Sequence, residues 1–365
     1  MSNSAPKFQP VFREELSDYV TGLAWSSRGL LATCSAAGEV GIADGEVLTL
    51  IKQADGYSLS QVLFSSDGQF LAAAGQTGEV FIWQIVEHGC TPDSLTPKFR
   101  DSEARATLIT TLPNPDTWID HLAWHPIRPE LAIGLGHYVQ VWEASTLTPM
   151  TTLDFAASSV LGLAWHPTGA YLAVGGYQGI QVWTAADWDQ DPEHLPLMSA
   201  CVNLAWSGNG QFMAAANIDR TLSLWQWGDI SPWEMRGFPG KVKQLVWSDA
   251  LSDAGTPLLA SSCAEGIVVW ERDEELGWAS RILDLHQQAV ITVVFQPNSL
   301  LLASAGSEGW IRLWDQAQEP IQILEGAKAG FSTLAWSGDG SLLAAGGQVG
   351  EVLVWQSVEN ILINN

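Results

Sequence analysis

The residues able to do chemistry are few and scattered. Four cysteines stand at 34, 90, 201 and 263 with no CxxC or zinc-finger spacing, so neither a disulfide framework nor a structural metal site is indicated. Reduced, mostly buried thiols are expected. His125 and His166 invite a reading as a metal pair, but both sit in a Trp-His-Pro context at equivalent places in successive copies of a repeat, and are expected on turns. The runs DWDQD (187–191) and ERDEE (271–275) fall in linker segments and read as solvated charge or as a docking surface for a basic partner. Carboxylates doing acid–base work need a dry pocket that raises one pKa, and nothing in the pattern builds one. GxSxG, HExxH, GxxxxGK[ST] and clustered Asp/Asn calcium loops are all missing, so acyl transfer, zinc hydrolysis, nucleotide and calcium chemistry lack their usual residue sets. No catalytic residue, metal or cofactor is expected.

Composition narrows the partner classes. Hydrophobic residues make up 47% and charged residues 15%, and 19 tryptophans in 365 residues supply an extensive core, which excludes disorder as the main state. Lys+Arg 16 against Asp+Glu 40 gives a net charge of −24, and such a surface repels phosphate backbones and anionic headgroups. Nucleic acid is therefore not expected as a partner, nor is membrane insertion: no run approaches the ~18–20 apolar residues of a span. The opening MSNSAPKFQP has neither the basic start nor the apolar run of a secretory signal, so a cytoplasmic location is expected. The expected partners are one or more proteins with basic surfaces.

These side chains must be positioned by something repetitive. A first block reads VTGLAW, LSQVLF, IDHLAW, VLGLAW, CVNLAW, VKQLVW, VITVVF and FSTLAW, ending at Trp25, Phe64, Trp124, Trp165, Trp206, Trp247, Phe295 and Trp336, about 44 residues apart. A turn such as SSDG, HPTG or SGDG follows, then an apolar strand that keeps an alanine in all eight copies, at 32, 72, 132, 173, 214, 260, 303 and 344. A third block (VFIWQ, VQVWE, IQVWT, LSLWQ, IVVWE, IRLWD, VLVWQ) ends its apolar run in Trp; the first copy, VGIAD, has Ala43 there. Alternation with period two in β-branched and aromatic residues marks strands, each with one side turned to a core. One such unit has too little core to stand, so the copies must stack around an axis.

On these motifs the sequence resembles the WD-repeat (WD40) family across essentially residues 8–363, although among the third blocks only Trp314-Asp315 keeps the dipeptide that names the family. The resemblance implies an all-β fold: a single eight-bladed β-propeller of four-stranded antiparallel blades, over 1–365. Seven blades, with the degenerate first copy serving otherwise, is the alternative. Outer strands are expected in the linkers, near 106–112 and 280–285. The last blade is expected to take its outer strand from the N-terminal segment, residues 8–16, with 359–363 as the rival. The family often pairs a buried Asp before the third strand with a His before the first; here the matching Asp is Asp219 and the matching His, approximately, His286. With these tethers mostly missing, tryptophan packing is expected to hold the blades together.

Two insertions break the spacing, at 85–105 and within SDALSDAGT after Trp247; the first carries Lys98, Arg100 and Arg105 and reads as a tolerated loop or a docking arm. The remaining candidate surface is the upper rim, where first strands begin and second-to-third turns end. In register, Tyr19, Trp118 and Lys241 share one position, with Thr21, Asp120 and Lys243 two residues later. The turns add His137, Tyr177 and Arg220. Sibling positions hold Ser58, Ser159, Ala200, Ala289 and Gly330, so the repeat does not require bulk or charge here; either these side chains plug the channel or they contact a partner. The expected function is a noncatalytic protein–protein interaction scaffold, an assembly or adaptor factor for a larger complex. The alternative is a ligand or metal sensor in the central channel, where His121 and His137 are the candidate ligands.

Overall fold

The period-two segments fold as eight four-stranded antiparallel sheets, in a computed structural model that describes residues 7–358 apart from 87–105, 156–157, 178, 265, 274 and 276. Most of the 85–105 insertion, with Cys90, and the rival segment 359–363 lie outside the described residues. In each sheet the first block is the innermost strand, and every inner strand touches those of both neighbouring blades. Val20–Trp25 meets both Leu59–Phe64 and Phe331–Trp336, which closes the ring. The first copy forms its own blade from Val20–Trp25, Leu31–Ser35, Val40–Ala43 and Leu48–Lys52, and this excludes the seven-bladed arrangement. Blade 8 is completed by the N-terminal strand Phe8–Glu15, antiparallel to Glu351–Ser357.

The invariant alanines explain themselves in the packed structure: all eight are 0% exposed, on second strands sandwiched between two neighbouring blades where a methyl group is the largest fit. The third-strand indoles fill the wider part of seven of the eight seams; Trp225 and Trp314 are among the largest fully buried side chains. Tryptophan also supplies polar tethers. The indole N–H groups of Trp25, Trp124, Trp165, Trp247 and Trp336 donate to Ala335, Leu63, Ala123, Ala205 and Val294 carbonyls, each on the preceding blade, at 3.0–3.4 Å. Each joins two blades with a bond of about 1 kcal/mol on top of the burial.

The residue after each first-strand aromatic divides the blades into two kinds. Ser26, Ser65, Ser207, Ser248 and Ser337 close their own turn by accepting a backbone N–H. His125, His166 and Gln296 instead reach the next blade, to the carbonyls of Gly169, Gly210 and Gly340 at 3.1, 3.2 and 2.7 Å. The two histidines are thus buried latches between blades, more than the turn residues the sequence pattern suggests. Gly169 is fixed by this contact, since a Cβ there would lie 2.2 Å from the His125 ring and its φ is +73°.

The latches make stability acid-sensitive. Backbone N–H groups of Ile127 and Arg128 donate to His125 Nδ1, while Nε2 lies 3.1 Å from the Gly169 carbonyl and 3.0 Å from the Arg128 guanidinium, so a proton added to this ring would meet donors and a positive charge. Burial, with the Arg128 charge alongside, pushes the His125 pKa down to about 4; burial lowers His166 as well. The unfolded chain takes up these protons near pH 6.5 and the folded one does not, so the stability is fully present above pH 6.5 and is lost as pH falls from there toward 4. The expected slope is at most about 1.4 kcal/mol per pH unit for each histidine. Denaturation midpoints measured between pH 7.5 and 4.5 should flatten in a His125→Gln/His166→Gln protein, because Gln296 shows that glutamine makes the same bond. An unchanged pH profile in that double variant would remove the latches as its cause.

The polar tether expected of Asp219 takes a different form. His286 pairs through Nδ1 with Glu308, in the turn before the third strand of its own blade. Its Nε2 meets Ser304 Oγ at 2.7 Å, and Ser304 in turn accepts from the Trp314 indole at 2.8 Å. Asp219 accepts only locally, from Thr221 Oγ1. The acid is Glu308, one methylene longer than the aspartate usual at this place in the repeat.

Candidate functional site

Antiparallel order puts two kinds of connection on the upper face: those entering each inner strand and those joining second to third strands. Inner strands carry a register shift near their upper ends in six blades, for example between Val20 and Gly22 and between Val242 and Gln244. Such a bulge re-aims the residue it inserts. Lys243 sits in one of these bulges and is exposed although its strand is innermost. Below the bulge, polar side chains stitch the blades around the axis: Gln61 accepts from Leu122 N and Gln244 from Val293 N, each on the following blade.

Of the residues singled out on the upper rim, Trp118, Asp120, His137, Tyr177, Arg220, Lys241 and Lys243 are exposed and Tyr19 is half-buried. All but Tyr19 are therefore open to solvent. Trp118 and Asp120 are brought together through blade 2: the indole donates to Ser60 Oγ at 2.9 Å, and Ser60 donates to Asp120 at 3.0 Å. This holds the Trp118 ring upright while 54% of it stays in water. Tyr177 is 56% exposed, with its backbone N–H held by Ser158 Oγ. The others are spread over separate blades, Tyr19 on blade 1, His137 on blade 3, Arg220 on blade 5 and Lys241 and Lys243 on blade 6.

The folded chain adds members that the repeat register did not single out. Tyr57, Met198, Ile218, Leu285 and Val349 all lie in upper-face connections and are exposed, making with Trp118 and Tyr177 a broken apolar crown around the axis. Their signal in the sequence was available: large apolar residues in linkers and short turns, where the repeat has no use for them. Charge is sorted around the crown. Asp18, Asp55, Asp116 and Asp120 are exposed at the entries to blades 1, 2 and 3, while Arg220, Arg236, Lys241 and Lys243 cluster on blades 5 and 6. Asp55 is pulled below the ordinary carboxylate range by Lys52, whose Nζ lies 2.7 Å away.

Chemistry of other kinds finds no assembly. Among the described residues there is no group of three or more His, Cys, Asp or Glu that could hold a metal. His121 is half-buried and desolvation lowers its pKa against the opposing pull of the Asp120 charge, while His137 stands in the exposed turn of the same blade. Cys34 and Cys201 are buried free thiols pushed up to about 12, hence un-ionised and unreactive at neutral pH, and Cys263 is a third free, buried thiol.

The model of the WD domain, G-beta repeat, matches at 45–84, 147–184, 187–226, 277–315 and 318–356, together more than half of the chain. The chain belongs to the WD40 family. No curated protein matches this WD40 chain in sequence. Among solved structures it is similar to Sqt1 from Chaetomium thermophilum, at 17% identity, covering 95% of this chain and 97% of that one with a TM-score of 0.77. A second structure of Sqt1 from the same organism gives 17% identity, coverage of 95% and 98%, and a TM-score of 0.78. A third, of C. thermophilum Sqt1 bound to the N-terminus of the ribosomal protein L10, gives 17% identity, coverage of 93% and 97%, and a TM-score of 0.75. At that identity the likeness is one of fold.

Proposed function

We propose that this WD40 propeller is a noncatalytic scaffold whose upper face captures a segment of a partner protein with a basic surface and holds it for assembly into a larger complex. The observation that carries the reading is the crown: seven large apolar side chains exposed on upper-face connections, at a net charge of −24. Apolar anchors with charged neighbours are what a protein contact uses for its binding energy. The charge supplies long-range attraction for a basic partner. The Asp18, Asp55, Asp116 and Asp120 sector seats its cations, and the Arg220, Lys241 and Lys243 sector opposite repels them, which sets the direction in which the segment lies. That a propeller of the same fold, Sqt1, is seen bound to the N-terminus of ribosomal protein L10 supports a protein segment as the ligand.

Affinity capture from native extract tests this. Wild-type bait should recover a defined protein of high isoelectric point, released as salt rises. Trp118→Ala/Tyr177→Ala bait should lose it, with affinity falling roughly 10²–10³-fold for two anchors of about 2 kcal/mol each. Both side chains are more than half exposed, so the melting temperature should not move. Equal recovery by both baits would refute the upper-face assignment.

A further inference from the structure

Seven blades end the apolar run of the third strand in a tryptophan whose indole packs into the seam with the preceding blade. Trp83 lies against Ala32 and Ile42 of blade 1, Trp225 against Ala173 and Val182 of blade 4, and Trp314 against Ala260 and Val269 of blade 6. Blade 1 has Ala43 at that position, and its seam with blade 8 holds a cavity of about 240 Å³. The cavity is walled by Trp25, Leu31 and Ala43 on one side and by Phe12, Leu342 and Val354 on the other. It therefore lies where the sister seams hold an indole. Phe12 pairs with Val354 at an outer-strand position that carries Thr49, Thr110 and Thr151 in blades 1, 2 and 3. That larger side chain narrows the seam without filling it.

Three features make this a receptive site and not a packing defect. The volume is ample, since an apolar cavity of ~150 Å³ already admits benzene. The walls are fixed: Trp25 is tied to blade 8 by its N–H bond to the Ala335 carbonyl at 3.1 Å, and the N-terminal strand is paired along its length with Glu351–Ser357. The lining also includes Gly29 and Gly45, exposed turn residues on the lower face that give access from solvent, and Gln356, whose side-chain oxygen can accept a hydrogen bond. An apolar box with an acceptor near its opening suits a planar aromatic carrying one N–H.

We propose that the seam between blades 8 and 1 is a binding pocket for an indole-sized aromatic group supplied from outside the chain. It is separate from the upper-face crown and does not depend on it. Titrating methyl-labelled protein with indole should shift the Leu31, Leu342 and Val354 resonances saturably, and the melting temperature should rise with indole concentration. Ala43→Trp should abolish both responses and raise the indole-free melting temperature, by refilling the seam as its seven sisters are filled. N-acetyltryptophanamide acting like indole assigns the pocket to a tryptophan side chain of a partner protein; a response to indole alone assigns it to a free small molecule. If Ala43→Trp does not fold, Ala43→Leu serves as the second filling variant, and the wild-type titration decides in any case. Absence of methyl shifts at millimolar indole, or shifts confined to other blades, overturns the proposal.

Discussion

Removing residues 1–16 should abolish the cooperative melting transition and drive the protein into aggregates. The strand Phe8–Glu15 is the outer strand of blade 8, and with it go the buried side chains Phe8, Phe12 and Leu16. At ~1.5–3 kcal/mol each, their burial amounts to roughly 5–9 kcal/mol. Lost as well are the ladder to Glu351–Ser357, the Leu16 N–H bond to the Gly350 carbonyl, and the Gln322 side chain that grips Lys7 and Phe8 from blade 7. A domain has only about 5–15 kcal/mol in total, so little remains. The uncovered Glu351–Ser357 edge would then template intermolecular pairing. Thermal melting and size-exclusion chromatography of the truncated chain check this; a monomer with an unchanged transition would show that the closing strand is dispensable.

Trp314→Ala should cost about 3–5 kcal/mol, the range for emptying an aromatic core site, and more if Ser304 and His286 lose their alignment. Trp314 is 1% exposed and its indole N–H donates to Ser304, which continues to His286 and Glu308. Trp225 is equally buried, but its N–H has no partner among the described residues. Phenylalanine at each position therefore separates packing from hydrogen bonding. Trp314→Phe should cost about 1–3 kcal/mol more than Trp225→Phe, the penalty for leaving a buried polar network unsatisfied. Guanidinium denaturation of the three single variants measures the difference. Equal losses for the two phenylalanine variants would show that blade 7 gains nothing from its polar chain.

The crown and the latches show how far a sequence reading reaches. Tyr19, Trp118, Lys241 and their companions stood out because siblings in the same register are Ser, Ala or Gly, so bulk or charge there is surplus to the fold. Met198 and Leu285 lie in linkers whose lengths differ from copy to copy, where register comparison has no aligned sibling to weigh; Ile218 was legible, since its siblings Ala36, Gln76, Ser307 and Gln348 make the same backbone bond and carry no large apolar side chain. His125 and His166 looked like turn residues because their partners, Gly169 and Gly210, are 44 residues away in sequence and adjacent only across a blade seam. The Glu308 partner of His286 was hidden by its longer side chain. The place of Ala43 was legible, but that it leaves space depends on what Phe12, Leu342 and Val354 do around it.

What the sequence by itself determined is everything that repeats: strands of period two, eight aromatic-ended blocks, an alanine wherever blades close on each other, and a surface of strong negative charge. Repetition makes this readable, because each copy solves the same local packing problem and the solutions can be compared. Only the tertiary structure decided what happens between copies: which indole tethers which carbonyl, where acid and base gather on the upper face, and how a single Trp-to-Ala departure opens a cavity. Those contacts join residues about 40 or more positions apart through the closure of the ring, and closure is a property of all eight blades at once.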